Sequence, residues 1–300
     1  MQNYYQYLPV SEEDEAWGLC VLNVGCSRIG SNVSYPPKGH PGSHYFNWNN
    51  GRILHNEYQV IYITKGEGIF ESKSSGPETI KEGSVILLFP EEWHRFKPNE
   101  ATGWDEHWVG FKGAIIENLI KNSFFTPEHP VINIGMKDKV VNLFDEIIER
   151  TSKEKAGYQP LIAGSVLHLL GYIHYVAKQK EFKEEDAVEN IVNKARILLR
   201  ANIDKEISIE DVAKELQVSY SWFRKAFKVY TGIAPGQYYI QLKIEKAKSL
   251  LLSVPAKTIK EIADELKFES VFYFSRLFKE KTGLTPADFR KNYQKANKRD

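Results

Sequence analysis

A stretch in the last third of the chain is written twice, and this duplication restricts the fold more than any other feature. Ile209-Glu-Asp-Val-Ala-Lys-Glu-Leu216 matches Ile259-Lys-Glu-Ile-Ala-Asp-Glu-Leu266 at an offset of 50 residues, and Phe227-x-x-x-Thr231-Gly232-x-x-Pro235 matches Phe278-x-x-x-Thr282-Gly283-x-x-Pro286 at an offset of 51. Stacked repeat folds need three or more units to bury a continuous core, so two copies describe a small motif used twice. Each copy opens on a helix-start signal, Ser208 with Asp211 or Thr258 with Glu261, in which the two side chains satisfy otherwise unpaired backbone N–H groups. Ile209, Val212, Ala213 and Leu216 then fall on one stripe. A break at 217–219 or 267–269 leads to a second helix, predicted over Tyr220–Tyr230 and Ser270–Lys281, with Phe223 and Phe227, or Phe274 and Phe278, facing inward. The small Ala213 and Ala263 let the second helix cross the first at close range. Two short helices joined by a tight turn, the second basic on its outer face, describe a helix-turn-helix.

Such a second helix presents its polar face to the DNA major groove. The candidate contacts are Ser221, Arg224, Lys225 and Lys228 in the first copy, and Val271, Phe272, Ser275, Arg276 and Lys279 in the second, with Arg224 and Arg276 chosen for guanine. For any single lysine a solvated helix face explains the residue equally well; the repetition of the whole arrangement favours the groove. Between the copies, residues 237–252 carry apolar side chains on two faces, as expected of a helix packed against both units. At about 1.5 Å per residue it spans roughly 24 Å, a strut suited to holding two recognition helices near successive major-groove segments about 34 Å apart. Charge agrees with this division: residues 184–300 hold 22 Lys and Arg against 17 Asp and Glu, whereas residues 1–183 hold 18 against 22. A polyanion would meet the C-terminal half.

Residues 190–292 resemble the DNA-binding domain of AraC/XylS-type transcription regulators. The resemblance rests on Ile262-Ala263, Tyr273-Phe274-Ser275-Arg276-Leu277-Phe278-Lys279, Gly283, Thr285-Pro286 and Phe289-Arg290. Where that family usually has Gly before Phe268, this chain has Lys267, which implies either a different turn or about 1 kcal/mol of backbone strain.

The first half reads differently. Tyr58–Ile63, Ile69–Glu71 and Val85–Phe89 are strand-like, with Lys65-Gly-Glu-Gly68 expected as a turn. Helical periodicity follows at 115–120, at 140–148 and at 162–173. Gly66-x-Gly68, Gly83-x6-Pro90-x3-His94 and Gly103-Trp104-x3-Trp108-Val-x-Phe111 are similar to the cupin-type effector domain of sugar-responsive members of the same family. The expected fold class is therefore α+β, with a cupin-like β-barrel and helices over 1–180 (effector binding and dimerisation), a charged linker at 181–189, and an all-α domain with two helix-turn-helix units over 190–300. A carbohydrate pocket needs aromatic faces for C–H surfaces and hydrogen-bonding groups for hydroxyls. Arg52, Trp93, His94, Phe96, Glu106 and Trp108 supply those types, and by the resemblance Phe96, Glu106 and Trp108 correspond best to sugar-contacting positions.

The implied protein is not an enzyme. It is a ligand-responsive regulator whose partners are double-stranded DNA, a small effector of sugar type, a second copy of itself and, by the resemblance, RNA polymerase. The competing reading, a cupin-type isomerase or oxygenase fused to a DNA-targeting module, would need metal ligands or an acid/base pair. His94 with Glu106 is the only candidate pair, and the His-x-His of cupin metal sites is missing, so neither metal nor cofactor is expected. Cys20 and Cys26 fit no metal or disulfide spacing, and Glu12, Glu13, Asp14 and Glu15 stand where a secretory signal would need apolar residues, so a reduced, cytoplasmic setting is expected. Leu161–Ala177 is almost wholly apolar, yet it contains His168 and His174 and is shorter than the roughly 20 residues a bilayer demands. Two readings stand for it and for Val140–Ile148: a dimer interface, or packing against the chain's own barrel.

Overall fold

One long strand organises the first half of the molecule. The computed structural model describes residues 3–36, 44, 46–182, 186–253 and 256–296. In chain order the first half contains β1 (Tyr4–Tyr7), α1 (Glu12–Ala16), β2 (Cys20–Ile29), β3 (Tyr58–Ser72), β4 (Gly76–Lys81), β5 (Ser84–Leu88), β6 (His94–Pro98), β7 (Trp104–Lys112), α2 (Ala114–Lys121), β8 (Val131–Asn133), α3 (Asp138–Lys153) and α4 (Tyr158–Phe182). The expected turn at Lys65–Gly68 is absent, because β3 continues straight through it. Gly66 has a φ of +85°, and a Cβ there would lie 2.2 Å from the carbonyl oxygen of Gly103. The register against β7 shifts between Ile63 and Lys65. The glycine therefore serves a β-bulge and a close backbone approach, the other meaning of glycine in a strand pattern. Beyond the bulge β3 changes neighbours: its first part pairs with β5 and β7, and its second with β4 and β6.

The sheet runs β1-β2-β7-β3-β5-β8, with β4 and β6 added on the far part of β3. Among the described residues β1 pairs with β2 and β8 with β5, and the two ends of the path do not meet. This corrects the expectation of a cupin-like β-barrel: a barrel requires the last strand to hydrogen-bond to the first, and here the sheet is open. Helices take the place that closure would otherwise fill. Val21, Val24, Val60, Tyr62, Val109 and Phe111 on one face pack with Val140, Phe144 and Ile147 of α3 and Ile162, Val166, Leu169 and Ile173 of α4. On the other face Ile61, Ile63, Ile86, Phe96, Trp104 and Trp108 form a second core with Phe46 and Leu54 from the 46–54 loop. Val60–Ile63 is a continuous apolar run because both faces of that strand are buried. The segment Tyr158–Lys180 is long and apolar enough by length and composition to cross a membrane, but its Ile162, Val166, Leu169 and Ile173 face is the one packed on the sheet.

The chain divides into two units, Met1–Glu181 and Phe182–Asp300. Of the segment 181–189, residues 183–185 lie outside the described ones; α4 ends at Phe182 and α5 (Asp186–Ala201) begins at Asp186. The second unit continues with α6 (Ile209–Glu215), α7 (Tyr220–Thr231), α8 (Pro235–Leu251), α9 (Ile259–Glu265), α10 (Val271–Thr282) and α11 (Pro286–Ala296). It holds two cores. Phe223 and Phe227 of α7 pack with Val212 and Ala213 of α6, Val192 of α5 and Tyr239 of α8, while Phe274 and Phe278 of α10 pack with Ile262 and Ala263 of α9 and Ile244, Ala247 and Leu251 of α8. The connecting helix thus contributes to both, and its 17 residues span about 26 Å at the usual rise.

Candidate effector site and nucleic-acid interface

A cavity lies on the Trp108 face of the sheet. It encloses about 420 Å³ of empty space, its open mouth included, and is lined by residues from β1, β3, β6, β7 and the loop after β2, among them Tyr7, Tyr35, Phe46, Gln59, Phe96 and Trp108. Strand register aims the side chains: Glu106 and Trp108 alternate with His107 along β7, so the first two face the cavity core and His107 faces the helices. Gly25, paired with Trp108 across the β2–β7 ladder, makes room for the indole, since a Cβ at that position would sit 2.4 Å from the ring.

Arg52 is the hub of the site. An isolated antiparallel bridge between Arg52 and His94 fixes its backbone. Its Nε donates to His94 Nε2 (3.0 Å), one terminal nitrogen donates to the carbonyl of His44 (2.6 Å), and the other to Gln59 Oε1 (3.2 Å). The guanidinium also lies 4.9 Å from the Phe46 ring centroid and 5.6 Å from that of Phe96, within reach of cation–π attraction. Behind it, Glu57 accepts hydrogen bonds from Asn23 (2.8 Å) and Gln59 (3.0 Å) and pairs with His44 at 3.0 Å. Burial alone would raise the Glu57 pKa, but the hydrogen bonds from His44, Asn23 and Gln59 outweigh it and hold the carboxyl below its ordinary value. Glu106 behaves in the opposite sense. It is only 5% exposed, and although Tyr35 donates a 3.0 Å hydrogen bond to it, burial outweighs that bond and the Arg52 charge and pushes it up to about 7. Burial, helped by Arg52, takes His94 down to about 3.

Of the six residues singled out for an effector, the structure thus gathers Arg52, Phe96, Glu106 and Trp108 around the cavity and sets His94 behind Arg52. Trp93 lies elsewhere: its indole donates to the Asn50 carbonyl (2.9 Å) and, with Trp48, sandwiches Arg95. The acid/base pair considered for an enzyme is not formed. Glu106 bonds Tyr35, whereas His94 meets Arg52 and the Glu92 carbonyl. Sequence reasoning missed Tyr7, Tyr35, His44, Phe46 and Gln59. The alternation of Gln59 and Ile61 with Val60 and Tyr62 was available as a signal for Gln59, while Tyr35 and Phe46 sit in irregular chain that no periodicity marks.

In the second unit the duplicated residues explain the duplicated geometry. Ser208 with Asp211 and Thr258 with Glu261 form complete capping boxes. Thr231 and Thr282 each donate to a carbonyl one turn back (Phe227, Phe278), and Gly232 and Gly283 close α7 and α10 in the left-handed conformation. The tight turn is the same in both copies: Gln217 N–H bonds Lys214 O and Val218 N–H bonds Ala213 O, just as Lys267 N–H bonds Asp264 O and Phe268 N–H bonds Ala263 O. This is a Schellman closure. Lys267 has a φ of +53° and Gln217 of +58°, so the chain keeps the glycine-type turn and accepts strain in both copies. Lys243 of α8, buried beneath the second turn, donates to the Lys267 carbonyl (3.3 Å) and lies over the Tyr239 and Phe268 rings. Arg290 donates to the carbonyls of Leu251 and Lys257 and so ties α11 to the end of α8.

Ser221, Arg224, Lys225 and Lys228 are exposed along α7; on α10 Phe272, Arg276 and Lys279 are exposed and Val271 and Ser275 are half-buried. Tyr220 and Trp222, also exposed on α7, were not among the sequence candidates.

Two helix-turn-helix units on a shared strut, with a separate unit enclosing a polar and aromatic cavity, define a ligand-responsive DNA-binding transcription regulator. Comparison with known proteins agrees. Residues 212–292 match a helix-turn-helix domain family, and residues 42–170 match the AraC-like ligand binding domain. An uncharacterized HTH-type transcriptional regulator of Pseudoalteromonas carrageenovora is 33% identical over 119 residues, covering 39% of this chain and 70% of that protein. The lactose operon transcription activator of Staphylococcus xylosus is 24% identical, with 93% of both chains covered, and the Msm operon regulatory protein of Streptococcus mutans is 23% identical over 81% of this chain and 87% of its own length. The chain belongs to the AraC/XylS-type family of helix-turn-helix transcription regulators.

Proposed function

We propose that the effector is a carbohydrate or a close derivative, and that it binds in the cavity around Arg52 and Glu106. The observation that carries this reading is the composition of the lining: the rings of Phe46, Phe96 and Trp108 beside Arg52, Gln59, Tyr35 and Glu106. Apolar faces suit sugar C–H surfaces, and the polar groups offer both donors and acceptors to hydroxyls. Charge balance supports an uncharged polyol. Gln59 bridges the Arg52 guanidinium to the Glu57 carboxylate, and Glu106, with its pKa near 7, is largely protonated at mildly acidic pH. The relatives point the same way, since one is named for the lactose operon and another for the raffinose operon.

In this reading Arg52, Phe96, Glu106 and Trp108 contact the ligand, and His94 holds Arg52. Ser221, Arg224, Lys225, Lys228, Val271, Phe272, Ser275, Arg276 and Lys279 face DNA. Two copies pair through the free side of α4, where Leu161, Leu167 and Tyr175 are exposed apolar side chains beside Gly164 and Gly171, a face suited to an isologous two-fold contact. The ligand acts by binding two arrangements of the protein with different affinities.

A thermal-denaturation screen of the full chain against mono- and disaccharides tests the proposal. A ligand at a hundred times its Kd should stabilise the first unit by about 2.7 kcal/mol, and Arg52→Ala or Trp108→Ala should abolish the response. If no sugar shifts the transition while organic acids or apolar compounds do, the effector class is wrong.

A further inference from the structure

The two recognition helices can be superposed residue for residue at the repeat offset of 51, which aligns the buried Phe223 with Phe274 and Phe227 with Phe278, and the capping Thr231 with Thr282. In that register the outward positions of the first turns differ in chemistry. The first copy places Ser221 and Arg224 where the second places Phe272 and Ser275. Phe272 is 78% exposed, the highest value among the exposed large apolar side chains of the described residues, and it belongs to neither core of its unit. It is the second residue of α10, just after the Ser270 cap, and the N-terminal end of a recognition helix is the part that reaches base edges. Arg276 and Lys279 follow it at i+4 and i+7, so two cations share its face of the helix and are available to phosphates.

A phenyl ring pressed into a major groove has one apolar feature to meet, the C5-methyl group of thymine. Against a G·C edge it would strip water from polar atoms without replacing the lost hydrogen bonds. We infer that the two units read DNA by different chemistry: the first through the hydrogen-bonding pair Ser221 and Arg224, the second through contact of Phe272 with thymine methyl groups. The recognition site is then bipartite and unlike in its two parts, with a thymine-bearing element under α10, and Phe272 is the specificity-determining residue of that element. This rests on the DNA contacts proposed above.

The test starts by selecting tight binders for the full chain from a pool of random duplexes. Each thymine of the selected site is then replaced singly by deoxyuridine, which leaves base pairing intact and removes only the methyl group. At one or two neighbouring thymines the wild-type chain should lose affinity about fourfold, the worth of one buried methyl. Phe272→Ala should show no such loss, Phe272→Leu should keep part of it, and Arg224→Ala should keep all of it while losing discrimination in the other element. Because the ring is exposed, Phe272→Ala should unfold at the wild-type temperature. Insensitivity of the wild-type protein to every deoxyuridine, or an undiminished loss in Phe272→Ala, overturns the inference and leaves the regulator reading intact. Failure to enrich any sequence overturns both.

Discussion

Glu106 gives the sharpest quantitative test of the pocket. Its carboxyl is 5% exposed and has its pKa pushed by burial from 4.5 to about 7. A folded-state pKa above the unfolded value means that the native chain binds the proton more tightly. The stabilisation is therefore fully present below about pH 4.5 and is lost as pH rises through 7. A shift of this size corresponds to roughly 3 kcal/mol in all, of which about 2.5 kcal/mol falls between pH 5 and pH 8. Glu106→Gln retains the shape and a hydrogen-bonding group for Tyr35 but does not titrate. Urea denaturation followed by tryptophan fluorescence suits the measurement, because five of the six tryptophans (17, 48, 93, 104 and 108) lie in the first unit. The stability of wild type minus that of Glu106→Gln should fall by about 2.5 kcal/mol from pH 5 to pH 8, and other titrating groups largely cancel in the difference. If the effector binds as proposed, its affinity should weaken over the same range in wild type alone. A flat difference curve would show that Glu106 is ionised throughout and that Arg52 and Tyr35, rather than burial, govern its charge.

The other predictions concern separate parts of the chain. His107 is buried against Phe144 at a centroid distance of 5.6 Å, neither ring nitrogen has a hydrogen-bond partner among the described residues, and burial lowers its pKa to about 4. The unfolded chain takes up the proton first, so stability should fall as pH drops from 6.5 towards 4, by roughly 3 kcal/mol, and His107→Phe should remove that loss in acid denaturation curves. Gly25→Val should drive a side chain into the Trp108 ring, costing about 1–3 kcal/mol and abolishing the effector response in thermal denaturation. Lys267→Gly and Gln217→Gly should each raise the stability of the second unit by about 1 kcal/mol, since an L side chain in the left-handed region carries strain of that order; a loss in calorimetry would mean that the side chains contribute more than the backbone costs. Leu167→Glu on the free face of α4 should convert dimer to monomer in sedimentation at micromolar concentration, and a wild-type chain that is already monomeric would remove that interface.

The second unit was readable from its residues because what defines it is local. A capping box is decided by residues three positions apart, a Schellman turn by five consecutive peptide units, and a helix face by spacing. Each can be recognised without knowing what lies elsewhere in the chain. The repeat then supplies an internal control, since a signal appearing twice at one offset is hard to assign to chance. Buried Lys243 escaped this reading. Its place on α8 follows a helical period that predicts only an inward side chain, while its partners, the Lys267 carbonyl and the Phe268 ring, come from the second turn across the fold.

The first unit was readable only in part, and the reason lies in β3. Individual strands such as Tyr58–Ile63 and Val85–Phe89 carry their own apolar pattern, but whether eight strands close or stay open depends on pairings between residues up to a hundred positions apart, such as Ser27 with Glu106. Gly66 and Gly68 had pointed to a turn and so to short, separate strands. In the folded chain Gly66 lets one strand bulge against Gly103, change neighbours and place Phe70 opposite Phe96. The strand beyond that bend pairs with β6, which carries the His94 that bridges to Arg52. An Arg52 held by His94, Gln59 and a loop carbonyl is fixed by three separate segments of chain. A ligand that engages its remaining N–H groups would therefore act on all three segments at once, which gives the effector a physical means of favouring one arrangement of the domain over another.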